Sequence, residues 1–210
     1  MRTRTIDLPA PYLRKVWLDR SRVSDPAAYP FCLPFLTKEF ELGFDRAVTI
    51  MVGENGTGKS TLLEGIAALA GYDEAGGGKG YRPVDHSRAL EAMGGKLGQA
   101  LRASWLPKIT QGWFFRAESF FSVARYLDEA AREPFSGPPP DFLSHSHGEG
   151  FLRFFEERCQ RQGLFIFDEP IGAVPVASGR VPETAAPYGP LRHLPGHHGD
   201  PCAAADGLSR

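Results

Sequence analysis

Gly53-Glu54-Asn55-Gly56-Thr57-Gly58-Lys59-Ser60, with Thr61-Leu62-Leu63-Glu64 directly behind it, is the stretch whose reading decides the fold. The run fits G-x-x-x-x-G-K-[ST], in which a glycine-rich backbone cradles phosphate groups. Glycine tolerates the backbone angles that turn successive N–H groups inward to form an anion nest. In such a loop Lys59 reaches the β- and γ-phosphates, and Ser60 offers its hydroxyl to Mg²⁺. The flanks supply the context the motif requires. Val48-Thr49-Ile50-Met51-Val52 is apolar and β-rich and predicts a buried strand, while Leu62, Leu63, Ile66, Ala67 and Ala70 recur at helical spacing. A helix starting behind the loop adds the partial positive charge of its N-terminus beneath the phosphates. A glycine-rich turn that fits by chance does not account for strand, loop and helix standing in register. The expectation is a site for a nucleoside triphosphate.

The chain has 210 residues, enough for one well-buried α/β domain rather than two. Its formal net charge of −1 gives no global basic field to draw nucleic acid. Cys32, Cys159 and Cys202 are few and widely spaced, fitting neither a disulfide framework nor a paired metal-ligand pattern. Residues 1–9 hold no apolar run long enough for a signal peptide, and no stretch approaches the roughly 20 apolar residues of a membrane span. These features predict a soluble, cytoplasmic protein.

Upstream of the loop, Leu13, Val16 and Leu18 among charged residues predict a first strand, and Phe40, Leu42 and Phe44 a second. Between them Pro26, Pro30 and Pro34 punctuate an aromatic segment at 29–36, too proline-dense for a regular element. Its rings either pack on the sheet, the favoured reading, or supply one ring, Tyr29 or Phe31, to stack on adenine. Downstream, Gly71 closes the first helix, and Gly76-Gly77-Gly78 and Gly80 mark a loop. Residues 89–106 are mixed: Leu90, Met93, Leu97, Leu101 and Leu106 recur at roughly helical spacing, but Gly94-Gly95 weaken the pattern. Residues 112–118 predict a short apolar strand ending in charge, and 119–131 a helix. Two loops follow, at 134–140 and 143–150, and then an amphipathic helix carrying Phe151, Leu152, Phe154, Phe155 and Cys159, whose aromatic face is read as core packing.

Leu164-Phe165-Ile166-Phe167-Asp168-Glu169-Pro170 reads as a buried strand delivering two carboxylates to its C-terminal edge, where open α/β sheets bind ligands. Asp168 is the natural Mg²⁺ partner for Ser60, and Glu169 is placed to polarise an attacking water. A strand ending in an acid is common by itself. Together with the loop at 53–60 it is specific.

Taken in order, these residues resemble the ABC-type ATPases, especially the soluble SMC/RecF-like branch and its small stand-alone AAA/ABC members. The resemblance runs from about Leu13 to Pro170. It implies an α/β P-loop NTPase with an ABC/SMC-like head, a mixed sheet flanked by helices, and ATP with Mg²⁺ as cofactors. It implies nucleotide contacts from Gly53, Glu54, Asn55, Gly56, Thr57, Gly58, Lys59, Ser60 and Thr61, with Lys59 also catalytic. Phe115-Arg116-Ala117-Glu118 sits where that family has its Q-loop, with Glu118 in place of the usual glutamine. Ser146-His147-Gly148-Glu149 resembles a diverged signature loop, in which Ser146 and Gly148 contact the γ-phosphate held by a second subunit. Residues 164–169 match the Walker B strand, with Asp168 and Ser60 on the metal and Glu169 as catalytic base. The implied partner is a second copy of the chain, clamped face to face on ATP and released by hydrolysis. Nucleic acid is a partner by family analogy alone.

After Pro170 the composition changes, dividing the chain into an ATP-binding domain at 1–170 and a Pro/Gly/Ala-rich, low-order tail at 171–210. Pro175, Pro182, Pro187, Pro190, Pro195 and Pro201 leave little room for regular elements. No D-loop, and no strand ending in a switch histidine, is recognisable there. The readings are a disordered tail, a metal site from His193, His197 and His198, and, favoured, a reading-frame slip near Pro170 in a GC-rich gene. A chain lacking the switch histidine is expected to bind nucleotide better than it hydrolyses it. The alternatives to a dimerising ATPase are therefore a nucleotide-binding module with little or no turnover and, less favoured, a P-loop small-molecule kinase.

Overall fold

The computed structural model describes residues 9–37, 39–74, 76–79, 93–109, 111–116, 155–156, 158–168 and 191–193. Strand β1 (Leu13–Leu18) lies between β2 (Glu41–Gly43) and β4 (Leu101–Trp105) in an antiparallel sheet. Leu13, Val16 and Leu18 are all buried, although strict alternation sets Leu13 and Val16 on opposite faces. A register shift between Leu13 and Lys15 in the pairing with β4 resolves this, since an irregularity of that kind re-aims a side chain. Val16, fully buried, stands opposite Leu42 on one side and Ala103 on the other. Beyond β1, Asp19 caps a single 3-10 turn (Arg20–Arg22) and pairs with Arg102 at 3.0 Å. Hydrogen bonds from Ser21 and the charge of Arg102 hold the Asp19 carboxyl below its ordinary range.

The strand before the phosphate loop is β3 (Ile50–Val52), shorter than the expected run at 48–52 and half-buried rather than buried, with Val48 exposed, and the helix behind it is α1 (Lys59–Ala70). Gly71 ends α1 in the left-handed region, its N–H donating to Ala67 and Ala68 carbonyls. A second helix, α2 (Met93–Ala100), packs along α1. It lies close because it carries glycine; a Cβ on Gly98 would stand 2.7 Å from that of Ala68.

Here the structure departs from the helical spacing read over 89–106. The helix stops at Ala100, and Leu101 begins β4 instead of a further turn. Leu97 and Leu101 are both buried, so the leucine spacing is satisfied across the junction. Pairing of Leu101 with Leu18 and of Ala103 with Val16 then overrides local helical preference.

Two parallel ladders complete the described strands: β5 (Gly112–Arg116) with β6 (Leu164–Asp168), and β3 with β7 (Leu191–His193). Phe115 and Phe167 sit opposite each other in the first and stack at 4.8 Å, with the Phe155 ring 5.4 Å from Phe167. One core joins β1, the aromatic segment, α1, α2 and β5–β6, through Val16, Phe31, Leu33, Phe35, Leu62, Leu97, Phe114 and Ile166 among others. The mixture of helices with parallel and antiparallel strands is compatible with a P-loop NTPase. Residues 119–131, 134–140 and 143–150 lie outside the described residues.

Two further differences concern the cysteines and the tail. Cys32, expected as a thiol, is disulfide-bonded, while Cys159 is free. Within the tail, Leu191–His193 form a strand on β3 where proline spacing offered none. Among the described residues no helix is long and apolar enough to cross a membrane.

Burial pushes the Cys159 thiol up from 9.0 to about 12. A raised folded-state value stabilises fully below the unfolded value and is lost as pH climbs through the folded one. The expected result is a melting temperature that declines across pH 9 to 12 less steeply in Cys159→Ser than in the parent. Parallel thermal melts of the two proteins over that window check it.

Candidate functional site

The loop at 53–60 leaves the end of β3 and enters α1 through two glycines in the left-handed region, Gly56 (φ 79°) and Gly58 (φ 85°). Gly58 has a second constraint: a Cβ there would stand 2.8 Å from Leu33 Cδ1 and 3.0 Å from Phe35 Cε1. The aromatic segment therefore packs under the loop as well as in the core. Thr57, buried, pins the turn by donating from its hydroxyl to the Glu54 carbonyl at 2.9 Å. Gly53, Glu54, Asn55 and Gly56 are exposed, and Lys59 folds back over them. Its Nζ donates to the carbonyls of Gly53 (2.7 Å) and Glu54 (2.6 Å). An ammonium held by exposed carbonyls can exchange them for phosphate oxygens at little cost, because a phosphate oxygen carries the negative charge that a carbonyl lacks and water can satisfy the released carbonyls.

Ser60, on the first turn of α1, donates from Oγ to Asp168 Oδ1 at 2.9 Å across 108 residues of sequence. Asp168 ends β6 and is buried, so a carboxylate and a hydroxyl meet at the foot of the loop. Both are hard oxygen donors of the kind Mg²⁺ takes. Their separation matches the roughly 2.9 Å edge of an octahedron with Mg–O bonds of about 2.05 Å. The residues present fit a magnesium ion.

Around this pair the structure brings in residues that sequence reading did not assign. Arg116 ends β5 in register with Asp168 on β6 and is buried. Its Nη1 lies 2.7 Å from Glu64 Oε1 and donates to the Glu74 carbonyl at 3.1 Å, and its Nε lies 3.6 Å from Asp168 Oδ2. Burial pushes the Glu64 carboxyl up against the opposing pull of Arg116, with Asp168 and Glu74 adding to the rise. In the sequence Arg116 was only the charge at the end of an apolar strand. The signal that marks it is the parallel neighbour, which ends in a carboxylate at the same level.

Tyr29, more exposed than the rest of its segment, hydrogen-bonds through its hydroxyl to Thr61 Oγ1, next to Ser60. Phe31, the other ring considered for the base, is buried in the core, which removes it from contact with a ligand. At the opposite edge, His193 pairs in register with Val52, the residue immediately before Gly53. Glu118, Ser146, Gly148 and Glu169 lie outside the described residues, as do His197 and His198. An open cleft of about 370 Å³ lined by Lys15, Trp17, Leu18, Glu39, Phe40 and Glu41 shares no residue with the loop.

Residues 32–93 match a family model described as an AAA domain. The match takes in part of the aromatic segment, the phosphate loop and α1, and supports a P-loop, nucleotide-binding ATPase. It ends before β5 and β6. No curated protein and no solved structure matches the chain.

Proposed function

We propose that this chain binds Mg·ATP at the loop of residues 53–60 and hydrolyses it as an ABC/SMC-like switch that dimerises on nucleotide. The observation that carries the reading is the Ser60–Asp168 hydrogen bond. It joins the first turn of the loop helix to a carboxylate at the end of a parallel strand, as metal-assisted phosphoryl chemistry requires. Gly53, Glu54, Asn55, Gly56, Thr57 and Gly58 would wrap the β-phosphate with backbone N–H groups, and Thr61 would extend that contact. Lys59 would move from its own carbonyls to the β- and γ-oxygens. Ser60 and Asp168 would hold Mg²⁺, which when bound neutralises charge on the phosphates. Tyr29 is the candidate for the base contact, from its exposure and its bond to Thr61.

Glu169 follows Asp168 directly in sequence and is proposed as the group that accepts the proton of the attacking water. Glu118, Ser146 and Gly148 are proposed as contacts to the γ-phosphate, the last two from the partner copy. His193 is the candidate for the γ-phosphate-sensing histidine that the resemblance calls for, on the ground of its register with Val52.

Phosphate release in Mg·ATP, measured beside light scattering for mass, tests the proposal. Turnover together with ATP-dependent doubling of mass supports it. Binding without release moves the chain to a nucleotide-binding module. Transfer to an added small acceptor moves it to a kinase.

A further inference from the structure

Four side chains close a ring beneath the phosphate loop. Ser60 and Glu64 stand one turn apart on α1, the spacing that sets both on one helix face. Ser60 bonds to Asp168 Oδ1, Asp168 Oδ2 faces Arg116, and Arg116 returns to Glu64. Among the described residues the guanidinium is thus shared between two carboxylates, but unequally: 2.7 Å to Glu64 against 3.6 Å to Asp168. All three charged side chains are largely buried, at 8% exposure for Arg116 and for Asp168 and 14% for Glu64.

A buried arginine beside a metal-binding carboxylate is a competitor for that carboxylate, since a guanidinium takes it in strong charge-assisted bonds. Arg116 alone with Asp168 would make a neutral pair with little attraction left for a divalent cation. Glu64 alters that balance by offering the guanidinium a second and nearer carboxylate. The shorter contact shows where the guanidinium is drawn.

We propose that Glu64 is a positioning residue for the magnesium site, acting through Arg116. Glu64 holds the Arg116 guanidinium off Asp168, which leaves the Asp168 carboxylate open to the ion with Oδ1 toward Ser60. The ring ties α1 to the ends of β5 and β6, so loss of Glu64 changes how the ion is held without touching a phosphate contact. This inference rests on the Mg·ATP reading of the loop.

The test is the gain in affinity for mant-ATP (a fluorescent ATP analogue) between EDTA and MgCl₂, measured by fluorescence titration on the full chain. Glu64→Gln keeps the side chain's shape but removes the counter-charge, so Arg116 swings onto Asp168. The magnesium gain should fall at least about tenfold, with affinity in EDTA little changed. Adding Arg116→Met removes the competitor, and the double variant should recover the gain to within about threefold of the parent. That replacement is structurally reasonable, because exchanging both members of a buried ion pair for uncharged groups is often neutral for stability. If Glu64→Gln does not fold, Glu64→Ala takes its place, with the same expected loss of the magnesium gain and the same repair by Arg116→Met.

A full magnesium gain in Glu64→Gln overturns the inference. So does a loss that the second substitution leaves unrepaired, which is what a merely structural pair would give. Both outcomes leave ATP binding by the parent standing. A parent that binds no mant-ATP in either buffer overturns the underlying reading, and the inference with it.

Discussion

Lys59→Ala is expected to lower affinity for Mg·ATP by at least about 100-fold, because two charge-assisted bonds worth roughly 1.5–3 kcal/mol each are lost together with their specificity for the triphosphate. Fluorescence titration with mant-ATP and MgCl₂ measures it. The same substitution should leave the melting temperature of the nucleotide-free protein almost unchanged. In that state Lys59 Nζ bonds only to the exposed carbonyls of Gly53 and Glu54, which water can replace. A fall in stability without a fall in affinity would mean that the ammonium serves the loop rather than the ligand. Gly58 is the opposite case. Its φ of 85° and the closeness of Leu33 and Phe35 make it a requirement of the fold.

Glu169→Gln is the second substitution with a large expected effect. Removing a general base costs about 10²–10⁴ in rate, so phosphate release should fall by that factor while mant-ATP affinity stays within a few fold. Under the dimerising-switch proposal the variant should accumulate as an ATP-bound species of doubled mass, seen by light scattering. Parent-like turnover would move the base to another residue. A variant that loses binding as well would mean that residue 169 contributes to the metal or the fold, as proposed for Asp168.

Much of this site was legible because it is local. The loop at 53–60, the strand before it and the helix behind it carry their signals within 23 residues of sequence, and the structure has β3, the loop and α1 in that order. The strand at 164–168 was legible for the same reason, being a short apolar run ended by an acid. What joins them is not local. The Ser60–Asp168 bond spans 108 residues and could be expected only from the chemistry of metal-assisted phosphoryl transfer.

Features that depend on a neighbouring strand stayed hidden. Leu101 reads as another helical leucine until β1 is beside it, and the helix gives way to a strand because Leu18 and Val16 offer a ladder. Arg116 reads only as charge at the end of an apolar strand until β6 brings Asp168 level with it and α1 brings Glu64. Leu191–His193, between prolines at 190 and 195, has no strand signature, and parallel pairing with β3 makes it one. The aromatic segment was half legible. Its packing role was the favoured reading, and Phe31, Leu33 and Phe35 are in the core, but its contact with Gly58 follows from the tertiary fold.

Thermal melting of the parent with and without Mg·ATP tests the central claim most directly. A ligand that binds only the folded state adds about 2.7 kcal/mol at a concentration 100 times its Kd. For a chain of this size that corresponds to a rise of roughly 5–10 °C, since each kcal/mol moves the midpoint about 2–4 °C. The expected result is a rise of that order with Mg·ATP, a smaller rise with ATP in EDTA, and none for Lys59→Ala. An unchanged melting temperature in millimolar Mg·ATP would contradict the assignment of residues 53–60 as a nucleotide site.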